Sequence, residues 1–125
     1  MLIASKPSIL IIDDDTAILH TFSRIFQRKG YCVTVAERGR EAIEKLNINC
    51  FDVALIDMRL PDMEGTELFP LIQKLSPSTL KIMLTGKTLL QDSIDGADAL
   101  LRKPISPDKL LSIIDSKLKD RTIET

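Results

Sequence analysis

Five short apolar runs, separated by longer segments, leave this chain very few architectures. The runs are Ile9 to Ile12, Cys32 to Val35, Val53 to Ile56, Leu80 to Leu84 and Ala99 to Leu101. None alternates apolar with polar residues as a strand with one wet face does. Each therefore reads as a strand covered on both sides, the habit of parallel sheets flanked by helices. The segments between them supply those helices. Ala17, Ile18, Phe22, Ile25 and Phe26 recur at helical spacing, and Gly30 closes that helix. Glu41 to Leu46 predicts a second helix opened near Gly39. Thr66 to Leu75 predicts a third, ended before Pro77, in which Pro70 is tolerable only near the first turn. Pro107 stands near the start of a terminal amphipathic helix, in which apolar Leu110, Leu111, Ile114 and Leu118 recur at three- and four-residue steps.

Strand and helix alternating in this way predict a three-layer α/β domain with right-handed crossovers. At 125 residues one domain is expected, and the doubly wound order that suits this length is the flavodoxin-like 2-1-3-4-5, a five-stranded parallel sheet with helices on both faces. Ligands of such folds bind outside the carboxyl ends of the strands, so the polar residues that follow each apolar run are the ones to inspect.

Asp13, Asp14 and Asp15 follow the first run and Asp57 follows the third. Strands one and three are neighbours in the expected order, about 4.8 Å apart, so these carboxylates converge. Packed that closely they repel unless a cation sits among them. An all-oxygen set suits a hard cation, and magnesium accepts a few carboxylates, waters and a phosphoryl oxygen. One Asp is needed to cap the following helix, and Asp15 is placed for that, leaving Asp13 and Asp14 for the metal. Thr85 follows the fourth run and Lys103 the fifth, so four strand ends point to one crevice. A carboxylate beside magnesium can take a phosphoryl group as an acyl phosphate while a hydroxyl and an ammonium hold its oxygens. His20, the one histidine, falls inside the first helix and reads as a solvated or packed ring.

Composition bounds the partners. Hydrophobic residues make up 44% of the chain and the formal net charge is −1, a balance that gives no attraction to phosphate backbones or anionic lipid. Direct nucleic-acid binding and membrane association are not expected, since no apolar stretch approaches the roughly 20 residues that cross a bilayer. The opening residues lack the pattern of a secretory signal, so the cytoplasm is the expected compartment. Cys32 and Cys50 lack metal-ligand spacing and are expected to be reduced and buried.

The stretches ILIIDDD at 9 to 15, ALIDMRLPDMEG at 54 to 65, LTG at 84 to 86 and GADALLRKP at 96 to 104 together resemble a response-regulator receiver domain of two-component signalling. The resemblance spans about residues 8 to 118, which makes 1–125 a single receiver domain. It implies that Asp57 is phosphorylated by a sensor histidine kinase or a phosphotransfer protein. It also implies that Asp13 and Asp14 bind magnesium together with Asp57 and the main-chain carbonyl of Arg59, and that Thr85 and Lys103 serve the phosphoryl group. Such a domain is a phosphoacceptor rather than an enzyme, with slow self-dephosphorylation that Arg59 and Lys87 are placed to influence. Pro104 after the lysine fits the family's cis bond, and Pro61 and Gly65 fit its loop into the third helix.

Two departures stand out. Leu100 occupies the switch position where the family carries an aromatic ring that moves with the hydroxyl residue, here Thr85. Thr85 and Lys103 are also closer in sequence than the family's usual spacing, so the helix expected between them, Lys87 to Asp95, is short or irregular. Output is expected through docking on a downstream protein, which the sequence does not identify, or on a second copy, with Leu110 and Ile113 on the outer side of the last helix. Two other readings compete. One is a receiver-like interaction module not regulated by phosphorylation. The other is a haloacid-dehalogenase-like phosphohydrolase, whose DxDxT opening Asp13 and Asp15 imitate; Ala17 breaks that pattern, and Asp57 and Pro61 are left without a role.

Overall fold

Successive side chains of a strand point to opposite faces, so an unbroken apolar run must be buried by two different layers. The computed structural model describes residues 6–86 and 97–123, the last three by their backbone alone. Its elements are β1 (Ser8–Ile12), α1 (Thr16–Arg28), β2 (Cys32–Ala36), α2 (Gly39–Ile48), β3 (Val53–Asp57), α3 (Gly65–Leu75), β4 (Leu80–Thr85), β5 (Ala99–Arg102) and α4 (Pro107–Ile123). The strands pair in parallel in the order β2-β1-β3-β4-β5, as expected.

Each central strand divides its side chains between two cores. Ile9, Ile11, Val53, Leu55, Ile82 and Leu84 meet Leu19, Phe22 and Phe26 of α1 and Leu110, Leu111 and Ile114 of α4. Leu10, Ile12, Ala54, Ile56 and Met83 meet Ala42 and Leu46 of α2 and Leu68, Phe69 and Ile72 of α3. Each buried Leu, Ile or Phe contributes about 1.5–3 kcal/mol. In α1, Leu19 fills the inward position and Ala17 is exposed. Among the described residues no helix is long and apolar enough to cross a membrane.

Helix ends follow local chemistry. Asp15 is the N-cap of α1, its Oδ1 accepting the N–H groups of Ala17 at 2.9 Å and Ile18 at 3.3 Å. At the other end Gly30 has φ +91°, Tyr31 N–H reaches the Phe26 carbonyl and Gly30 N–H that of Gln27, which is a Schellman closure. Tyr31 then donates from its phenol to Asp115 Oδ1 at 2.5 Å, tying the start of β2 to α4. Burial and the Asp115 carboxylate push that phenol well above its ordinary pKa and keep it a donor.

Four expectations are corrected. Cys32 and Cys50 are exposed, because the first opens an edge strand and the second lies in the turn after α2. Pro70 is the sixth residue of α3, beyond the first turn; it is tolerated because it lies on the exposed side, and the donor it lacks would have served the carbonyl of Thr66, also exposed. Leu110 is fully buried and Ile113 half-buried, because the inward stripe of α4 runs through Leu110, Leu111 and Ile114, so Leu110 offers nothing to a second copy. Helices α2 and α3 run longer than expected by up to two residues at an end. The segment Lys87 to Asp95 lies outside the described residues.

Removing the α1 cap gives a direct check on this local account. Asp15→Ala lowers the unfolding free energy by about 1 kcal/mol in urea titration, and Asp15→Asn stays close to wild type.

Candidate functional site

Asp57 is the last residue of β3 and Thr85 the last of β4, while Asp13 follows β1 and Lys103 follows β5. Backbone bonds continue the sheet just far enough to align them. Asp13 N–H donates to the Ala36 carbonyl at 3.0 Å, Met58 N–H to that of Leu84 at 2.9 Å, and Lys103 N–H to that of Thr85 at 2.7 Å. The Lys103–Pro104 peptide bond is cis.

Lys103 Nζ donates to Asp13 Oδ2 at 2.9 Å and to Asp57 Oδ1 at 3.1 Å, bridging two carboxylates from two strands. Asp13 Oδ1 in turn accepts the Asp15 N–H at 3.0 Å. Asp13, Asp14 and Asp57 each place a carboxylate oxygen within 4.8 Å of the others, with Asp14 exposed and the other two buried. Beside them opens a crevice of about 690 Å³ lined by Asp14, Asp57, Met58, Arg59, Glu64, Thr66, Thr85, Gly86 and Lys103. Of the residues expected at the site, Asp13, Asp14, Asp57, Arg59, Thr85 and Lys103 are thus brought together. Leu100 pairs with Met83, its side chain partly exposed, and lines no wall of the crevice. His20 is exposed on α1 and outside the cluster.

Glu64 and Thr66 also line the crevice and were not anticipated. Glu64 is the N-cap residue of α3 and is held there by Glu67: Glu67 Oε1 accepts the Glu64 N–H at 2.9 Å, and the Glu67 N–H donates to the Glu64 main-chain carbonyl at 3.0 Å. The three-residue spacing before Leu68 is the available signal, obscured because Glu stands where Ser, Thr, Asp or Asn is usual. Gly65 has a steric reason: a Cβ there would lie 2.5 Å from the Asp57 carbonyl oxygen.

One ammonium only partly offsets three carboxylates. Burial raises the Asp57 pKa, the Asp13 charge raises it further, and the hydrogen bond and charge of Lys103 with the Arg59 main-chain N–H oppose without prevailing. For Lys103 burial lowers the pKa, but Asp13 and then Asp57 outweigh it and keep the ammonium charged. The remaining negative charge, all-oxygen donors and open crevice fit a hard divalent cation. In metal-free protein the raised Asp57 pKa means that its charge costs stability above that pKa and the cost fades as pH falls through it. Asp57→Asn therefore raises the thermal midpoint at neutral pH in chelator, and the gain shrinks in acid, where wild-type Asp57 is protonated in both folded and unfolded protein.

Comparison with known proteins agrees with this geometry. The family model of the response regulator receiver domain matches residues 9–115. A receiver domain protein from Methanospirillum hungatei has 43% identity and a TM-score of 0.91, covering 97% of this chain and 100% of that one. A response regulator from Burkholderia pseudomallei, solved with a phosphorylated aspartic acid, a calcium ion and citrate, has 26% identity and a TM-score of 0.82 over 94% of this chain and 72% of that one. The Escherichia coli transcriptional regulatory protein GlrR is 34% identical over 91% of this chain, which spans only 27% of that protein. The chain belongs to the response-regulator receiver domains of two-component systems.

Proposed function

We propose that Asp57 accepts a phosphoryl group from a phosphohistidine of a sensor histidine kinase or phosphotransfer protein, in a reaction that requires magnesium. The observation that carries this reading is the Lys103 ammonium bridging Asp13 and Asp57 at 2.9 and 3.1 Å, with Asp14 close enough to complete a cation site. The phosphorylated aspartic acid and calcium ion in the Burkholderia relative support it.

In the reaction a carboxylate oxygen of Asp57 attacks phosphorus, a P–O bond forms, and the P–N bond to the donor imidazole breaks as that imidazole leaves. Magnesium held by Asp13, Asp14, Asp57 and the Arg59 main-chain carbonyl would supply neutralisation of phosphoryl charge. Lys103 already contacts Asp57 and is within reach of a phosphoryl oxygen that replaces the carboxylate charge. Thr85, at the crevice wall, offers its hydroxyl to another. Water attack on the same acyl phosphate reverses the modification slowly, and Arg59 at the crevice wall bears on its access.

Phosphorylation then alters docking on a downstream protein. One relative, NtrC of Proteus hauseri, is named as a DNA-binding transcriptional regulator, and this chain spans only 24% of its length; the near-neutral charge of the chain supports a reading in which the domain itself makes no nucleic-acid contact. In the same reading the domain works in the cytoplasm, on the side where a kinase partner would draw its ATP.

Incubation with acetyl phosphate and magnesium adds one phosphoryl group by intact mass, and chelator or Asp57→Asn abolishes the gain. Lys103→Ala slows it on the order of a hundredfold. No gain in any condition favours the phosphorylation-independent module.

A further inference from the structure

The chain between Asp57 and α3 carries Arg59 and Glu64 along one side of the crevice, so its position shapes that wall. Its internal bonds are few. Leu60 N–H donates to the Met63 carbonyl at 3.1 Å, Gly65 N–H to that of Met58 at 2.7 Å, and Arg59 and Glu64 form a single antiparallel bridge. Ordering such a segment carries an entropic cost in every residue, which those bonds alone do not offset.

The anchor comes from another element. Asp62 Oδ1 accepts the Gly39 N–H at 2.8 Å and its Oδ2 accepts that of Arg40 at 2.9 Å, so both oxygens of one carboxylate bind the first two N–H groups of α2. Helix α2 has no cap of its own to compete, since Arg38 at that position makes no side-chain bond. Negative charge is favourable at that helix end, and the two backbone bonds hold the Asp62 carboxyl below its ordinary pKa against slight burial. One residue on, Met63 lies against Gly39, where a Cβ would stand 2.5 Å from its Sδ and 2.6 Å from its Cγ. The strand leading into α2 also reaches the opposite side of the site, through the Ala36 carbonyl that receives the Asp13 N–H. One corner of the fold thus touches both acidic strand ends.

We propose that Asp62 is a positioning residue for the cation site: by capping α2 from the neighbouring loop, it holds the main chain of residues 58–64 ready for a divalent ion. Asp62 lines no wall of the crevice and belongs to no carboxylate cluster among the described residues, so it acts through the loop and not on the ligand. The inference rests on the magnesium-dependent reading above.

Magnesium titration calorimetry, amide hydrogen exchange of metal-free protein and thermal unfolding test it on four variants. Asp62→Ala weakens magnesium affinity about tenfold, in the range for partners that orient ligands, and speeds exchange at Leu60 and Gly65. Asp62→Asn, which keeps one acceptor oxygen, recovers part of both. Gly39→Ala, pressing on Met63 from the helix side, gives the same loop signature. Glu41 is the control, because its Oε1 accepts the Glu37 N–H at 2.6 Å at the same helix end and, among the described residues, it makes no hydrogen bond or ion pair to the loop. Glu41→Ala lowers the thermal midpoint and leaves magnesium affinity and loop exchange unchanged. Wild-type affinity and exchange in Asp62→Ala overturn the proposal, as does equal weakening in Glu41→Ala, which would reduce Asp62 to helix stability. Wild-type protein that binds no magnesium overturns the functional reading and this inference with it.

Discussion

Everything at the carboxyl rim of this sheet answers to the repulsion between carboxylates at the ends of two adjacent central strands. Parallel pairing of β1 with β3 sets Ile12 beside Ile56, so the residues that follow, Asp13 and Asp57, arrive together whether or not their charges agree. Lys103 relieves part of the conflict from the far strand. Its place depends in turn on β5 pairing with β4, and on the backbone bond from Lys103 to Thr85. A site that is still short of positive charge after its lysine is in place is one prepared for a cation and for chemistry that consumes a carboxylate's charge.

The hydrophobic layers make that strain affordable. Both faces of β1, β3 and β4 are buried, and a sheet held by two cores cannot splay to separate its acidic ends. Burial of Asp57 and, after it, the neighbouring Asp13 charge therefore persist in the folded protein as a raised Asp57 pKa instead of being relieved by movement. Local devices finish the arrangement. Gly65 lets α3 start against the Asp57 carbonyl, and Asp15 takes the cap of α1, leaving Asp13 and Asp14 to the cluster.

The strands and the residues that cluster at the site were legible because they share one rule: an apolar run followed by a polar residue marks a strand's carboxyl end. Asp13, Asp57 and Thr85 obey it directly, and Lys103 follows one residue later, after Arg102. What escaped depends on contacts between segments distant in sequence. Asp62 looks like a turn residue and is bonded to a helix that begins 23 positions earlier. Glu64 looks like a surface acid and is a cap. Cys32 was misjudged because residue type was read in place of strand position, and an edge strand exposes what a central one buries. Leu110 was misassigned because a stripe of four aliphatics leaves the rotation of α4 undetermined until Leu111 and Ile114 are seen to share the α1 layer.

The central claim is that Asp57, and no other carboxylate of the cluster, becomes the acyl phosphate. Borohydride reduction of the phosphorylated protein converts an acyl-phosphate aspartate to homoserine, and peptide mass spectrometry locates it. Homoserine at position 57 alone is the result this account predicts. Homoserine at position 13 or 14, or phosphoryl incorporation that leaves position 57 an unmodified aspartate, would contradict it.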